Sequence, residues 1–178
     1  MSKYDLTRAN ELIEREIFFD ANILLYLFWA TGSNDCETKY AKLLKILLNN
    51  KNKLFIDLTV ISEVFNKAFD IEYVKYKEDN NNLRLKKKVY RDSDAGHNTI
   101  DEIYSLLKGT VFKHFNLVGN SFSKEDIVNM LVVDHLDFSD RILLEICKEN
   151  NFVLLTHDRD FRDADVDILT ANTRLILA

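Results

Sequence analysis

With 178 residues, 47% of them hydrophobic and 30% charged, the chain has the composition of one soluble globular domain, residues 1–178, long enough to bury a core. Its formal net charge of −5 argues against a protein that holds nucleic acid by bulk charge, while leaving room for an acidic pocket with a basic rim. No apolar run reaches the roughly 20 residues of a membrane span. The first residues lack a signal peptide's apolar stretch, and Cys36 and Cys147 lack metal or redox spacing, so a cytoplasmic protein with reduced thiols is expected.

Ile17, Phe18 and Phe19 form a short apolar run that ends at Asp20, followed by the helical pattern of Ile23 to Trp29. A fully buried strand feeding a helix explains this order. After the loop at 31–35 comes an amphipathic helix, Cys36 to Leu48, with Tyr40, Leu43, Leu44, Leu47 and Leu48 at helical spacing. A polar turn leads into a second strand, Leu54 to Ile56. Thr59 is then expected to cap a helix that carries Val60, Ile61, Val64, Phe65, Ala68 and Phe69 on one face. Glu63 falls in its opening turns, just off that stripe.

Residues 70–116 differ in character. Lys75 to Arg91 is polar and mostly basic, Asp92 to His97 is expected to be a loop, and Thr99 to Phe115 a helix. A third strand is expected near Phe115 to Val118. Ser123 and Asp126 then match a capping box. Asp137 to Asn150 reads as a helix, Asn150-Asn151 as a turn, and Phe152 to Leu155 as a buried strand. A last strand is expected at Val166 to Leu169. There is no internal repeat and no proline to mark a linker. Strands alternating with helices predict an α/β fold with a parallel sheet of four or five strands, covered on both faces.

Four carboxylates stand out. Asp20 follows the first strand and Asp158 the strand at 152–155, while Asp140 lies in a helix's first turn and Glu63 in another's opening turns. Singly, each has an ordinary reading. Asp20 suits a helix cap, Asp140 suits the positive end of a helix dipole, Asp158 suits an Asx turn, and Glu63 suits a solvated surface. Jointly, they fall on the carboxyl rim of a parallel sheet, where α/β folds bind ligands. Acids converging there would repel by about 3 kcal/mol per close pair at an effective dielectric near 20 unless a cation intervened. Oxygen donors without a histidine or cysteine cluster suit Mg²⁺ or Mn²⁺. Such ions activate water and stabilise phosphoryl oxygens.

Four short motifs carry a family resemblance. Phe19-Asp20-Ala-Asn22-Ile-Leu-Leu, Ile61-Ser-Glu63-Val-Phe, Asp137-Phe-Ser-Asp140-Arg-Ile-Leu and Leu155-Thr156-His-Asp158-Arg-Asp160-Phe161 occur in the order found in PIN-domain ribonucleases, which include the VapC toxins of toxin–antitoxin pairs. The chain resembles that family over its N-terminal and C-terminal thirds. The resemblance implies a PIN-like three-layer α/β/α fold and metal-dependent endonucleolytic cleavage of RNA. Asp20, Glu63, Asp140 and Asp158 match the family's acids, so the resemblance implies that they hold one or two Mg²⁺ or Mn²⁺ ions; Asp160 is a possible fifth ligand. Asn22 and Thr156 match positions that orient the acids. RNA and an antitoxin protein are the implied partners, a homodimer the implied assembly, and no membrane is involved. The segment at 70–116 departs from the family pattern. Its cations Arg84, Lys86, Lys87, Lys88 and Arg91 could grip phosphates or form a solvated face.

Two other functions fit parts of the pattern. A haloacid-dehalogenase-like phosphatase also places an aspartate after its first strand, but needs a second one two residues later, where this chain has Asn22. A catalytically silent PIN-like module that binds protein or RNA would not need the complete acidic set. His157, between Thr156 and Asp158, is expected to be a polar loop residue rather than a general base. Tyr26, Phe28 and Trp29 suit the core or a dimer interface.

Overall fold

A strand covered on both faces must be apolar at every buried position, and Ile17, Phe18 and Phe19 meet that condition with no exposed surface. In the computed structural model, which describes residues 1–177, they lie in β2 (Glu16–Phe19) at the centre of the sheet. The other strands are β1 (Lys3–Tyr4), β3 (Lys53–Ile56), β4 (Asn116–Leu117), β5 (Val153–Leu155) and β6 (Asp167–Leu169). Among the described residues they form one six-stranded sheet in the order β1-β6-β5-β2-β3-β4, and every neighbouring pair is parallel. The sheet therefore has one strand more than expected. β1 is two residues long, too short for any period, and exists because Lys3 and Tyr4 pair with Ile168 and Leu169.

The chain leaves β2 towards β3 on one side and returns to β5 on the other, which makes the β2–β5 seam the topological switch point. Helices α1 (Ala21–Phe28), α2 (Asn34–Asn49), α3 (Leu58–Asp79) and α8 (Phe138–Asn150) enter the three-layer packing with their apolar stripes inward. Asn151 closes α8 in the left-handed region at φ 54°, where asparagine is tolerated, and turns the chain into β5. The Ser123 cap of α7 (Lys124–Met130) forms as expected, with Oγ accepting the Asp126 amide at 3.1 Å.

Two local expectations change. The cap of α3 is Asp57 and not Thr59: its Oδ1 accepts the Val60 amide at 2.9 Å, so the helix starts one residue before Thr59. The stretch 92–97 is mostly helical, because Ser93 Oγ accepts the Gly96 amide and opens α5 (Asp94–Leu106). Before it lies α4 (Lys87–Arg91); after it come a π-helical turn at Leu107–Val111 and α6 (Phe112–His114).

The segment 70–116 is fastened to the far end of α3 by aromatic packing. The Tyr90 ring is 5.3 Å from Phe69, 5.7 Å from Tyr73 and 4.9 Å from Tyr76, and its hydroxyl is 2.7 Å from Thr99 Oγ1. A Cβ at Gly96 would collide with the Tyr90 carbonyl oxygen and stand 2.8 Å from Arg91 Cα, so only glycine lets α5 approach α4 this closely. Tyr90, Ile103, Leu107 and Val111 join the same hydrophobic cluster as the central strands.

Candidate active site

β2 and β5 pair with Phe19 opposite Leu155, and the Asp20 amide donates to the Leu155 carbonyl at 3.0 Å. Asp20 and Thr156 consequently leave the sheet side by side at its carboxyl edge. Thr156 Oγ1 donates to Asp20 Oδ2 at 2.6 Å, and Asn22 Nδ2 donates to the same oxygen at 2.6 Å. The threonine oxygen in turn accepts the Asp158 amide at 3.0 Å, and Asn22 Oδ1 accepts the His157 amide at 3.3 Å. Asp20 stands at the N-cap position of α1 yet makes no capping bond with its side chain. Only 5% of it is exposed. A carboxylate this buried, bonded to side chains of α1 and the β5 end instead of capping its helix, is positioned for something other than capping.

The remaining acids come from three other elements, and their charges reach one another across the rim. Asp140, in the first turn of α8, forms a reciprocal box with Asp137. Its amide donates to Asp137 Oδ1 at 2.9 Å, and its own Oδ2 accepts the Asp137 amide at 3.4 Å. Burial, the charge of Asp137, and the charges of Asp20 and Asp158 together push the Asp140 carboxyl up to about 7. Burial likewise lifts Asp20 to about 6, against the Thr156 bond, with the Glu63 charge adding to the rise. Asp158 is exposed, and its Oδ1 accepts the Asp160 amide at 2.9 Å in an Asx turn that opens the 3₁₀ turn Arg159–Asp163. Glu63, half-buried on α3, meets Lys67 Nζ at 2.5 Å. Asp160 takes part through its backbone amide.

Among the described residues, no three Asp, Glu, His or Cys side chains already stand together as a metal-binding group. Each acid has a local partner: Thr156 and Asn22 for Asp20, Asp137 for Asp140, the 160 amide for Asp158, and Lys67 for Glu63. The chemistry of the set nonetheless fits a hard divalent cation. Every donor is a carboxylate oxygen, and both bonds to Asp20 fall on Oδ2, leaving Oδ1 free of them. Burial raises Asp20 and Asp140, and the charges of neighbouring acids add to the rise.

Lys67 escapes a reading based on acidic motifs, although its spacing four residues after Glu63 is a legible signal on a helix. His157 is held as a structural residue. Its Nδ1 is 2.8 Å from the Tyr40 hydroxyl, its Nε2 is 3.9 Å from Cys36 Sγ, and its ring meets Tyr26 and Tyr40 edge-on. Burial, aided by the Lys39 charge, keeps it below the ordinary histidine range. Tyr26 stacks on Tyr40, Phe28 meets Phe115 edge-on, and Trp29 Nε1 donates to Glu72 at 3.1 Å, so these aromatics pack within the chain.

The basic residues Arg84, Lys86, Lys87, Lys88 and Arg91 are all exposed. Lys87 is ion-paired to Asp70, one turn beyond Lys67 on α3, and Arg91 to Asp92. Arg84, Lys86 and Lys88 keep their charges towards solvent.

A parallel three-layer α/β domain, with a buried aspartate at its switch point and further acids around it, defines the class of protein. Residues 17–167 match the PIN domain, and the chain belongs to that family, whose fold is generally that of metal-dependent nucleases. Comparison with curated proteins gives no match. No helix among the described residues is long and apolar enough to cross a membrane.

Proposed function

We propose that the protein is a divalent-metal-dependent endoribonuclease, with Asp20, Glu63, Asp140 and Asp158 as its catalytic and metal-holding acids. The observation that carries this reading is Asp20: buried, making no capping bond, and oriented through Oδ2 by Asn22 and Thr156. Asp140 and Asp158 add charges that act across the β2–β5 seam. Mg²⁺ or Mn²⁺ bound by these oxygens would activate water and offset charge on the scissile phosphoryl group.

The chain's own residues set the stage for that chemistry. Thr156 and Asn22 fix the Asp20 carboxylate, which spares the reorientation that a free side chain would need at the moment of reaction. The Thr156 hydroxyl also takes the Asp158 amide, so one side chain sets the relative placement of both aspartates. Asp140, lifted to about 7, is less acidic than an ordinary carboxyl and would ionise more readily beside a divalent cation. Asn22 offers an amide where a phosphatase of the haloacid-dehalogenase type needs a carboxylate.

The finer reading, a VapC-like toxin acting as a homodimer and held by an antitoxin, rests on the motif resemblance. A neighbouring reading frame for a small DNA-binding protein would test it. The nuclease reading is tested by incubating the protein with single-stranded RNA and with a generic phosphomonoester. RNA cleavage lost in EDTA and restored by Mn²⁺ is expected, with the monoester untouched. Undiminished cleavage in excess EDTA rejects it.

A further inference from the structure

Lys67 lies one turn after Glu63 on α3, its ammonium 2.5 Å from Glu63 Oε1. An ordinary surface pair at this spacing concerns two residues. Here the charges of Asp20 and Asp158 also act on the ammonium, and its charge acts back on Asp20. The ammonium thus contacts Glu63 and stands in the field of carboxylates from two further elements. Lys67 is 53% exposed and, together with Glu63, borders an open cleft of about 550 Å³ between α3 and the start of α8. Ser62, Asn66 and Ser139 line the same cleft with neutral hydrogen-bonding groups, and Asp137 adds a carboxylate whose Oδ1 is taken by the Asp140 amide.

We propose that Lys67 is a built-in counter-cation of the acid site. Its ammonium balances Glu63, Asp20 and Asp158 until a divalent ion binds, then turns into the cleft to hold a phosphate of the RNA strand beside the scissile one. A divalent ion that takes Glu63 Oε1 competes with the ammonium for that oxygen, and the repulsion between the two cations favours moving the ammonium away. The flexible four-carbon stem of lysine and the open space beside it permit that move without rearranging the helix. Once displaced, the ammonium is a point charge at the wall of a cleft contiguous with Glu63, where a phosphate is its natural partner. The inference rests on the nuclease function proposed above.

Mn²⁺ titration calorimetry without RNA separates the two readings. Wild type, Lys67→Met, Lys67→Gln and Lys67→Arg would be compared after circular dichroism confirms that each is folded. Removing a competing, partly screened charge should make the Met and Gln variants bind Mn²⁺ about three- to tenfold more tightly, with the Arg variant close to wild type. At saturating Mn²⁺, the two neutral variants should show a KM for RNA raised about tenfold, the scale of one lost phosphate contact, with kcat changed less, and Arg should restore it. Unchanged or weaker Mn²⁺ binding in both neutral variants overturns the proposal, as does an unchanged KM. Failure of every protein, wild type included, to bind Mn²⁺ would overturn the metal-site reading as well, so the two failures are distinguishable.

Discussion

Thr156 donates a 2.6 Å hydrogen bond to Asp20 across the seam between β5 and β2, two strands whose sequence positions are 136 residues apart. The contact follows from the register that sets Phe19 opposite Leu155. With Asn22 still donating to the same oxygen, losing the Thr156 hydroxyl costs Asp20 one hydrogen bond to a charged group, about 1.5–3 kcal/mol. Thr156→Val should therefore destabilise the metal-free protein by about that amount near pH 7 and weaken Mn²⁺ binding, while Thr156→Ser should recover most of both. Urea unfolding with EDTA, beside Mn²⁺ titration, checks this. A Val variant as stable as wild type would mean that the bond does not hold the carboxylate.

The same burial sets a pH dependence. Burial lifts folded Asp20 to about 6 from an ordinary value of 3.8, so the folded chain keeps a proton that the unfolded chain has already released. Between pH ~4 and 6 the unfolded state binds fewer protons, and metal-free stability falls as pH rises, by on the order of 2 kcal/mol for Asp20. Asp140, near 7, extends the fall in the same direction, with a share reduced by solvent screening. Added Mn²⁺ should reverse the trend, because its binding expels those protons and strengthens as they leave. Thermal unfolding from pH 4 to 7.5, with and without Mn²⁺, checks both signs; metal-free stability rising over this window would contradict the raised values.

The exposed cations of the segment 84–91 divide into two kinds. Lys87 and Arg91 already have carboxylate partners, whereas Arg84, Lys86 and Lys88 do not share those pairs. If the latter three contact RNA phosphates, changing them to Gln should flatten the dependence of log affinity on log salt by up to about 0.7 per contact. Mn²⁺ affinity should stay as it was. Fluorescence anisotropy with labelled RNA at several salt concentrations reads the slope, and an unchanged slope assigns these residues to a solvated face.

The layering and the order of the central elements were legible because their signals are local: an all-apolar β2, amphipathic helices, and the Asn150-Asn151 turn that closes α8. So was the placement of the acids after strands and in first helical turns. What escaped was set by partners distant in sequence or by competition between neighbours. β1 is a strand only because β6 is there to pair with it. Asp57 and Thr59 both suit a cap, and the hydrogen bond to Val60 goes to Asp57. The apparent loop at 92–97 hid Ser93's cap, and the polar 70–116 segment hid Tyr90, whose packing on Phe69, Tyr73 and Tyr76 ties it to α3. In the sequence, Lys67 and Glu63 are an i, i+4 pair like any on a helix surface, and only the fold brings the charges of Asp20 and Asp158 to bear on the ammonium.

Asp140 offers the sharpest choice between a shared metal site and a set of separate structural carboxylates. Asp140→Asn removes one charge while keeping an oxygen able to accept the Asp137 amide. In EDTA the variant should be as stable as wild type, or stabler by about 1–2 kcal/mol, since it relieves repulsion at an effective dielectric near 20. It should cleave no RNA, and the stabilisation gained from Mn²⁺, which follows RT ln(1 + [L]/Kd), should shrink. The direct measurement is thermal unfolding of both proteins in EDTA and in Mn²⁺, with RNA cleavage assayed on the same samples. Equal or higher metal-free stability with lost cleavage and a reduced Mn²⁺ shift is the expected result; an Asp140→Asn protein that is less stable, fully active and still responsive to Mn²⁺ would contradict a shared catalytic site.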